Sequence, residues 1–326
     1  MVKVSSCQII YFITYIRIIP LRRCNMKKYL IIYNGSAGKS DNEAIAKKAQ
    51  SLLESNGKSV TLSQTKSRDD AVEQAQKSPE NYDCLITIGG DGSINTACEG
   101  FLKAGQSIPL GIIPGGTINN FARALHIPLN TDQAINNLLD GSPAEVDLGA
   151  VGKTPMVSSL TLGRLADIAR NVKDDEKKRF GKMIYLVKGF KELFTNRSYK
   201  LKITANDRSE VLRAQILLIT TTNSVGGFIA FNPDASYDDD YLHVFLLKSF
   251  TPMKLLTYLS YFITGNLKNA QGVRYFKTKT VKIDNLSKRD IQARIDGDPA
   301  ISLPITVTTK SDFLQVIVPR VEREGS

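Results

Sequence analysis

Between residues 26 and 146 the chain repeats one pattern: a short apolar, β-prone run, a glycine-rich turn, then a helix. The sharpest copy is Asp83-Cys84-Leu85-Ile86-Thr87-Ile88, followed by Gly89-Gly90-Asp91-Gly92-Ser93-Ile94-Asn95. So short and apolar a run reads as a strand buried on both faces of a parallel sheet. Ile94, Ala97, Phe101 and Leu102 then recur at helical spacing. Strand, glycine turn and helix start together aim backbone N–H groups and the positive end of a helix dipole at an anion. Glycine lets the backbone approach that anion closely. Asp91 repels an anion unless a cation lies between them. The pattern therefore reads as nucleotide phosphates with a divalent metal. The plainer alternative is a tight strand-to-helix turn whose Asp only caps the helix that follows.

Two further copies flank this one. Tyr29–Tyr33 runs into Asn34-Gly35-Ser36-Ala37-Gly38-Lys39, with Ser40 and Glu43 at capping-box spacing and Gly57 as the helix stop. The spacing is not that of a Walker A loop, and Lys39 either touches phosphate or is solvated. Ser59–Gln64 reads as a strand and Asp69–Gln76 as a short helix. Ile108–Ile113 ends in Pro114-Gly115-Gly116-Thr117, and Thr131 stands where it would cap a helix stopped by Gly141. Strand and helix alternating this way predict an open parallel sheet. All three glycine loops fall at the C-terminal ends of strands, where such sheets bind ligands.

After Ala144 the pattern changes to strands. Candidates are Lys200–Thr204, Ala214–Thr222, Leu242–Lys248, Val281–Asp284, Ile291–Ile295 and Phe313–Val318. They predict a second, largely antiparallel β domain, a sandwich. Two helical segments interrupt it: a basic one from Asp174 to Thr195 containing Lys177-Lys178-Arg179, and one from Thr251-Pro252 to Gly265. The second carries Leu255, Leu256, Leu259, Tyr261 and Phe262, a face that either packs on the sandwich or lines an opening for a lipid. Asp234, Asp238, Asp239 and Asp240 crowd one turn, which is either solvated or metal-bound. Asp296-Gly297-Asp298 follows a strand. It is either a hairpin turn or a rigid edge presenting a carboxylate that takes a proton during phosphoryl transfer.

The net charge of +11 favours anionic partners. Four scattered cysteines, without a CxxC pair, read as core residues in a reducing compartment. Two histidines exclude a His-rich metal site. Residues 1–25 match nothing that follows. Met26-Lys27-Lys28 opens the first clean strand, so 1–25 reads as a non-native or disordered extension. No nucleic-acid recognition module is found.

In combination these motifs resemble the diacylglycerol kinase catalytic family, the soluble bacterial lipid kinases. The order carries the resemblance over about 28–318: Asn34 to Lys39, Gly89-Gly90-Asp91-Gly92, Pro114-Gly115-Gly116-Thr117, Thr222-Asn223-Ser224, Asp238-Asp239, Asp296-Gly297-Asp298. The resemblance implies an α/β nucleotide domain (26–147), a β-sandwich lipid and metal domain (148–300), and final strands returning toward the first domain before a tail (301–326). It implies ATP held by Asn34, Gly35, Ser36, Ala37, Gly38 and Thr65, by Gly90, Asp91, Gly92, Ser93, Ile94, Asn95 and Thr96, and by Thr117. It implies Mg²⁺ on the Asp239 side chain and the backbone carbonyls of Ser236 and Tyr241. Asp91, Asp147 and Asp239 would link that metal to the nucleotide, and Asp296 would be the catalytic base. The implied activity is transfer of the ATP γ-phosphoryl to a lipid hydroxyl, diacylglycerol giving phosphatidic acid. The implied setting is cytoplasmic, peripheral on an anionic inner membrane face, with Lys177-Lys178-Arg179 toward the lipid; a homodimer is allowed. Against the family pattern stand Gly35 for Pro, Thr96 for Glu, Asn120 for Asp and Asp240 for Gly. Thr96, Asn120 and Asp240 keep open a weakened lipid- or nucleotide-binding regulator, and the Gly89-Gly90-Asp91-Gly92 element, which also occurs in NAD kinases, keeps open a NAD kinase-like enzyme.

Overall fold

The computed structural model describes residues 26–35, 41–162, 198–228, 231–248, 252–288 and 290–320. The extension 1–25, the loop residues Ser36, Ala37, Gly38 and Lys39, and the basic segment 174–195 lie outside the described residues.

The first half is built on four parallel strands: β1 (Lys28–Tyr33), β2 (Ser59–Gln64), β3 (Cys84–Gly89) and β4 (Leu110–Pro114), in the order β2-β1-β3-β4. Helices α1 (Asn42–Ser55), α2 (Arg68–Asn81), α3 (Asp91–Ala104), α4 (Asn120–Ala124) and α5 (Thr131–Asp140) complete it. Side chains alternate along a strand, so each strand feeds two cores. Leu30, Leu85 and Ile112 pack with Ala75, Phe101 and Phe121 of α2, α3 and α4. Ile31, Ile86 and Ile113 pack with Ala46, Leu53 and Leu138 of α1 and α5. The apolar runs are thus buried on both faces. Gly100 sets the α2–α3 spacing, since a Cβ there would lie 2.5 Å from that of Ala75.

Asp41 caps α1 by accepting the Ala44 N–H at 3.0 Å, while Ser40, expected in a capping box, lies outside the described residues; the other expected cap moves by one residue. Asn130, not Thr131, caps α5 by accepting the Asp132 and Gln133 amides. In the second case the stronger capping residue sits beside the weaker one and takes the role.

The second half comprises β5 (Ser142–Val151), β6 (Thr154–Met156), β7 (Ser159–Leu162), β8 (Tyr199–Ala205), β9 (Arg208–Ala214), β10 (Ile216–Thr220), β11 (Leu242–Leu247), α6 (Pro252–Ile263), β12 (Val273–Thr278), β13 (Thr280–Asn285), β14 (Gln292–Ile295), β15 (Asp298–Ser302) and β16 (Ile305–Val318). One sheet runs β12-β11-β10-β7-β14-β15, with every pairing antiparallel. It packs on β8, β13 and β16 through Leu160, Leu217, Ile219 and Val244 against Leu201, Ile203, Val281, Ile283 and Val307. This is the expected sandwich.

The candidate strand Ala214–Thr222 splits, because β9 and β10 belong to different sheets and the chain crosses between them at Gln215. Phe313–Val318 is only the end of the 14-residue β16. Its first part pairs with β13, its length pairs antiparallel with β5, and Val316 lies opposite Leu110 of β4. A register shift between Lys310 and Leu314, with Asp312 at φ 57°, lets one strand serve both halves. The parallel sheet therefore continues through β16 into the sandwich, and the division at residue 147 falls inside β5. Tyr258 of α6 is buried, and Tyr261 and Phe262 pack on the cluster of Phe231, Phe245 and Leu247. No described helix is long and apolar enough to cross a membrane.

Candidate active site

The glycine loops after β3 and β4 meet backbone to backbone. The Gly115 N–H donates to Gly89 O at 2.8 Å. A Cβ on Gly116 would lie 2.6 Å from Gly90 Cα, and one on Gly90 would lie 3.0 Å from Gly116 Cα. Asn119 closes the second loop: its Oδ1 accepts the Gly116 N–H and its Nδ2 donates to Gly116 O. Gly90 is the N-cap of α3 and brings no side-chain cap, while a Cβ on Gly92 would meet open space. The start of this 14-residue helix is thus open and lined by small residues. It suits an anion. Asn34 and Gly35 stand at the end of β1, and Thr65 follows β2 with its hydroxyl donating to Tyr33 O at 3.2 Å. Thr117 is exposed on the same loop as Gly115 and Gly116.

The side chains of several residues expected at the nucleotide make contacts within the protein. Ile94 is buried in the core of the first half. The Thr96 hydroxyl donates back to Gly92 O at 2.9 Å. The Asp91 carboxylate accepts the backbone N–H groups of Asn120 and Phe121, at 2.9 and 3.0 Å. It therefore serves the start of α4 and not that of its own helix α3, whose N-cap is Gly90. Burial raises its pKa. Asn120 in turn accepts the Gly227 N–H at 2.8 Å, tying α4 to the sandwich.

Asp296 and Gly297 form the two-residue turn between β14 and β15, at φ 52° and 94°. Positive φ at both positions is the type I′ requirement, which Asp-Gly satisfies. The turn is thus the hairpin that Asp-Gly predicts, and it fixes where the Asp296 carboxylate stands. The turn brings the Asp296 carboxylate onto the segment joining β6 and β7. Oδ1 accepts the N–H groups of Ser158 and Ser159 at 2.8 and 2.9 Å. Oδ2 accepts the Val157 N–H and the Asn95 Nδ2, each at 2.9 Å. Burial pushes the Asp296 pKa up to about 6, against the pull of these four donors. Three of the donors are backbone amides, which no side-chain pattern could have announced. Ser158 Oγ of this segment and, farther along the chain, Asn223 Oδ1 and Ser224 Oγ are buried without a partner.

The acidic turn is organised around Asp239. Its Oδ2 accepts from His243 Nε2 at 2.9 Å and Lys277 Nζ at 3.1 Å, and its Oδ1 accepts the Tyr241 N–H at 3.1 Å. Burial works against ionisation, but the His243 and Lys277 contacts hold its carboxyl below the usual range. Asp147 accepts the Asp240 N–H at 2.6 Å. Burial, then the charges of Asp240, Asp239 and Asp238, push Asp147 up to about 7. Asp240, where glycine is usual, stands at φ 67°. Among the described residues no group of three or more His, Cys, Asp or Glu side chains could hold a metal. A site of one carboxylate and two carbonyls needs no such group. Asp239 Oδ1 keeps one lone pair by count, and an all-oxygen set of Ser236 O, Tyr241 O and Asp239 Oδ1 suits a hard divalent ion. His243, Lys277, Arg68 and the 157–159 amides are site neighbours that the sequence patterns did not single out.

The fold and the site define a two-part nucleotide-dependent transferase scaffold: phosphate-type loops on a parallel sheet, with a carboxylate delivered from a sandwich. Two family models match in tandem, the diacylglycerol kinase catalytic domain over residues 28–151 and the YegS C-terminal NAD kinase beta sandwich-like domain over 158–318. The chain belongs to the diacylglycerol kinase catalytic family. It is 28% identical over 295 residues to a diacylglycerol kinase of Staphylococcus epidermidis, covering 90% of this chain and 93% of that one. It is 29% identical over 294 residues to a diacylglycerol kinase of Staphylococcus saprophyticus, covering 90% and 96%. A crystal structure of a diacylglycerol kinase from Bacillus anthracis superposes with TM-score 0.73 at 21% identity, over 90% of this chain and 97% of that one, and shows the shared fold.

Proposed function

We propose that this protein transfers the γ-phosphoryl of ATP to the hydroxyl of a membrane lipid, converting diacylglycerol to phosphatidic acid. One observation carries the reading. Asp296, the carboxylate of the sandwich, is hydrogen-bonded to the same helix, α3, whose open N-terminus suits phosphate. Phosphate site and proton acceptor are thus held by one element. The names of the curated relatives supply the acceptor class.

In this reading Gly90 to Ser93 and Thr117 hold the phosphates, and Asn34 to Gly38 with Thr65 lie along the nucleotide. The acceptor hydroxyl attacks the γ-phosphorus and gives its proton to Asp296. The P–O bond to the β-phosphate breaks, and ADP leaves. Such a transfer is catalysed by positioning and charge stabilisation. Mg²⁺ on Asp239 with the Ser236 and Tyr241 carbonyls would offset the negative charge of the acidic turn. The charge of +11 supports a peripheral place on anionic lipid at the inner membrane face, at about 1 kcal/mol per well-placed Lys or Arg.

The test is phosphate transfer from labelled ATP and Mg²⁺ into mixed micelles of diacylglycerol, then ceramide or sphingosine, then NAD, with wild type and Asp296→Asn. Labelled phosphatidic acid that disappears in the variant is the expected result. Labelled NADP instead would make it a NAD kinase, and bound nucleotide without transfer to any acceptor would make it a regulator.

A further inference from the structure

Ionised carboxylates have about four lone-pair directions, and all four of Asp296 are taken. Three partners are consecutive backbone amides in a β connection and are fixed. The fourth is the side chain of Asn95, from the other half of the molecule and 201 positions away in sequence. An incoming hydroxyl can reach the carboxylate only where this one movable donor gives way.

The Asn95 amide is itself locked. Its Nδ2 donates to Pro155 O at 2.9 Å as well as to Asp296. Its Oδ1 accepts Arg68 Nη2 at 3.0 Å. Turning the amide over would set Oδ1 against a carbonyl and a carboxylate, and its NH₂ against a guanidinium, so the contacts assign its orientation. Arg68 is held in turn by Glu99, Nη1 to Oε2 at 2.6 Å, and Glu99 by Lys103 at 2.8 Å.

We propose that Asn95, braced by Arg68, is the positioning residue for Asp296: it holds Oδ2 in the free enzyme and yields that place to the acceptor hydroxyl. Asn95 then serves the base across the domain junction and does not touch the nucleotide. Its catalytic consequence rests on the kinase reading; the geometry of the brace does not.

The test uses the full chain with Asn95→Ala and Arg68→Met, checked for folding by thermal melting. A donor to the charged form favours ionisation, so losing it raises the carboxyl pKa. In Asn95→Ala the acid limb of the kcat/KM profile for the acceptor, which reports the free enzyme, is expected to move up by about one pH unit. KM for ATP stays within about twofold, and KM for the acceptor does not rise. Arg68→Met, at the half-exposed end of the brace, shifts the limb the same way by less. A raised ATP KM with an unmoved limb would place Asn95 on the nucleotide and overturn the proposal. The Asp296 carboxyl is also titrated directly, by carbon-detected NMR of ¹³Cγ-labelled Asp, using Asp296→Asn to assign the signal. An upward shift of its midpoint in either variant, without phosphorylation of any lipid, would sink the kinase reading and leave the brace standing. An unmoved midpoint would overturn the brace whatever the enzyme phosphorylates. Should Asn95→Ala not fold, Arg68→Met decides by the same two readouts.

Discussion

The carboxylate of Asp91 accepts the backbone N–H of Asn120 at 2.9 Å, and its other oxygen accepts that of Phe121 at 3.0 Å. The acid most conspicuous beside the glycine loop thus joins that loop to the helix after the next one. Asp91→Ala strips two part-buried amides of their acceptor and is expected to cost about 2 kcal/mol in urea unfolding. Asp91→Asn keeps one acceptor oxygen and costs about half as much. Unchanged stability with lost transfer would show instead that Asp91 spends its charge on substrate or metal.

The pH dependence follows from Asp296. Its pKa in the folded protein, about 6, lies above the ordinary 3.8. A carboxyl must be ionised to accept a proton, so transfer should fall about tenfold per pH unit below pH 6. Stability runs the other way. A raised folded pKa contributes stability that is full below about pH 4 and lost as pH rises through about 6. The carboxylate proposed to take the proton therefore opposes folding at the pH where it would work. An acid limb centred near pH 4 in the kcat/KM profile would contradict this.

The two loop glycines separate structure from binding. At Gly116 an added Cβ meets Gly90 Cα at 2.6 Å and Asn119 Oδ1 at 2.7 Å, so backbone must move. Gly116→Ala is expected to lose both ATP binding and about 2 kcal/mol of stability. At Gly92 an added Cβ meets nothing, and the site lies in the first turn of α3. Gly92→Ala should leave the melting temperature unchanged or slightly raised, since Ala is the better helix former, while raising KM for ATP at least severalfold. Unaltered KM in Gly92→Ala would move the phosphates away from α3.

The sheet architecture was legible because periodicity and glycine placement are local. Ile31 and Ile86 had to be buried on one face and Leu30 and Leu85 on the other, and a parallel sheet covered on both sides follows. What stayed hidden was non-local. Nothing in Gln315 or Val316 announces that one 14-residue strand joins both halves. Nothing in Val157, Ser158 or Ser159 announces a carboxylate cradle, because the donors are backbone. Asn95 and Thr96 sit inside a phosphate-loop motif, yet a helix turns successive side chains by about 100°. At the start of α3 Gly92 is exposed and Asp91 and Ser93 are half-buried, whereas Ile94 to Cys98 are buried, Asn95 against Pro155 of the second half.

The acidic turn gives the last test. Asp239 shares its Oδ2 with Lys277, which also donates to Asp234 O at 3.1 Å, while Lys279 reaches Asp240 at 3.5 Å. These lysines offset part of the charge that a divalent ion on Asp239, Ser236 and Tyr241 would offset further. A ligand that binds only the folded chain stabilises it by ~1.4 kcal/mol at ten times its dissociation constant. Added Mg²⁺ should therefore raise the melting temperature over EDTA in a saturable way without any nucleotide. Asp239→Asn should abolish the gain. Lys277→Met should melt lower in EDTA and gain more from Mg²⁺, because the carboxylate it leaves is free to accept the ion. An equal Mg²⁺ gain in wild type and Asp239→Asn would place the ion elsewhere, and no gain in Lys277→Met would mean that the turn is held by its lysine and His243 alone.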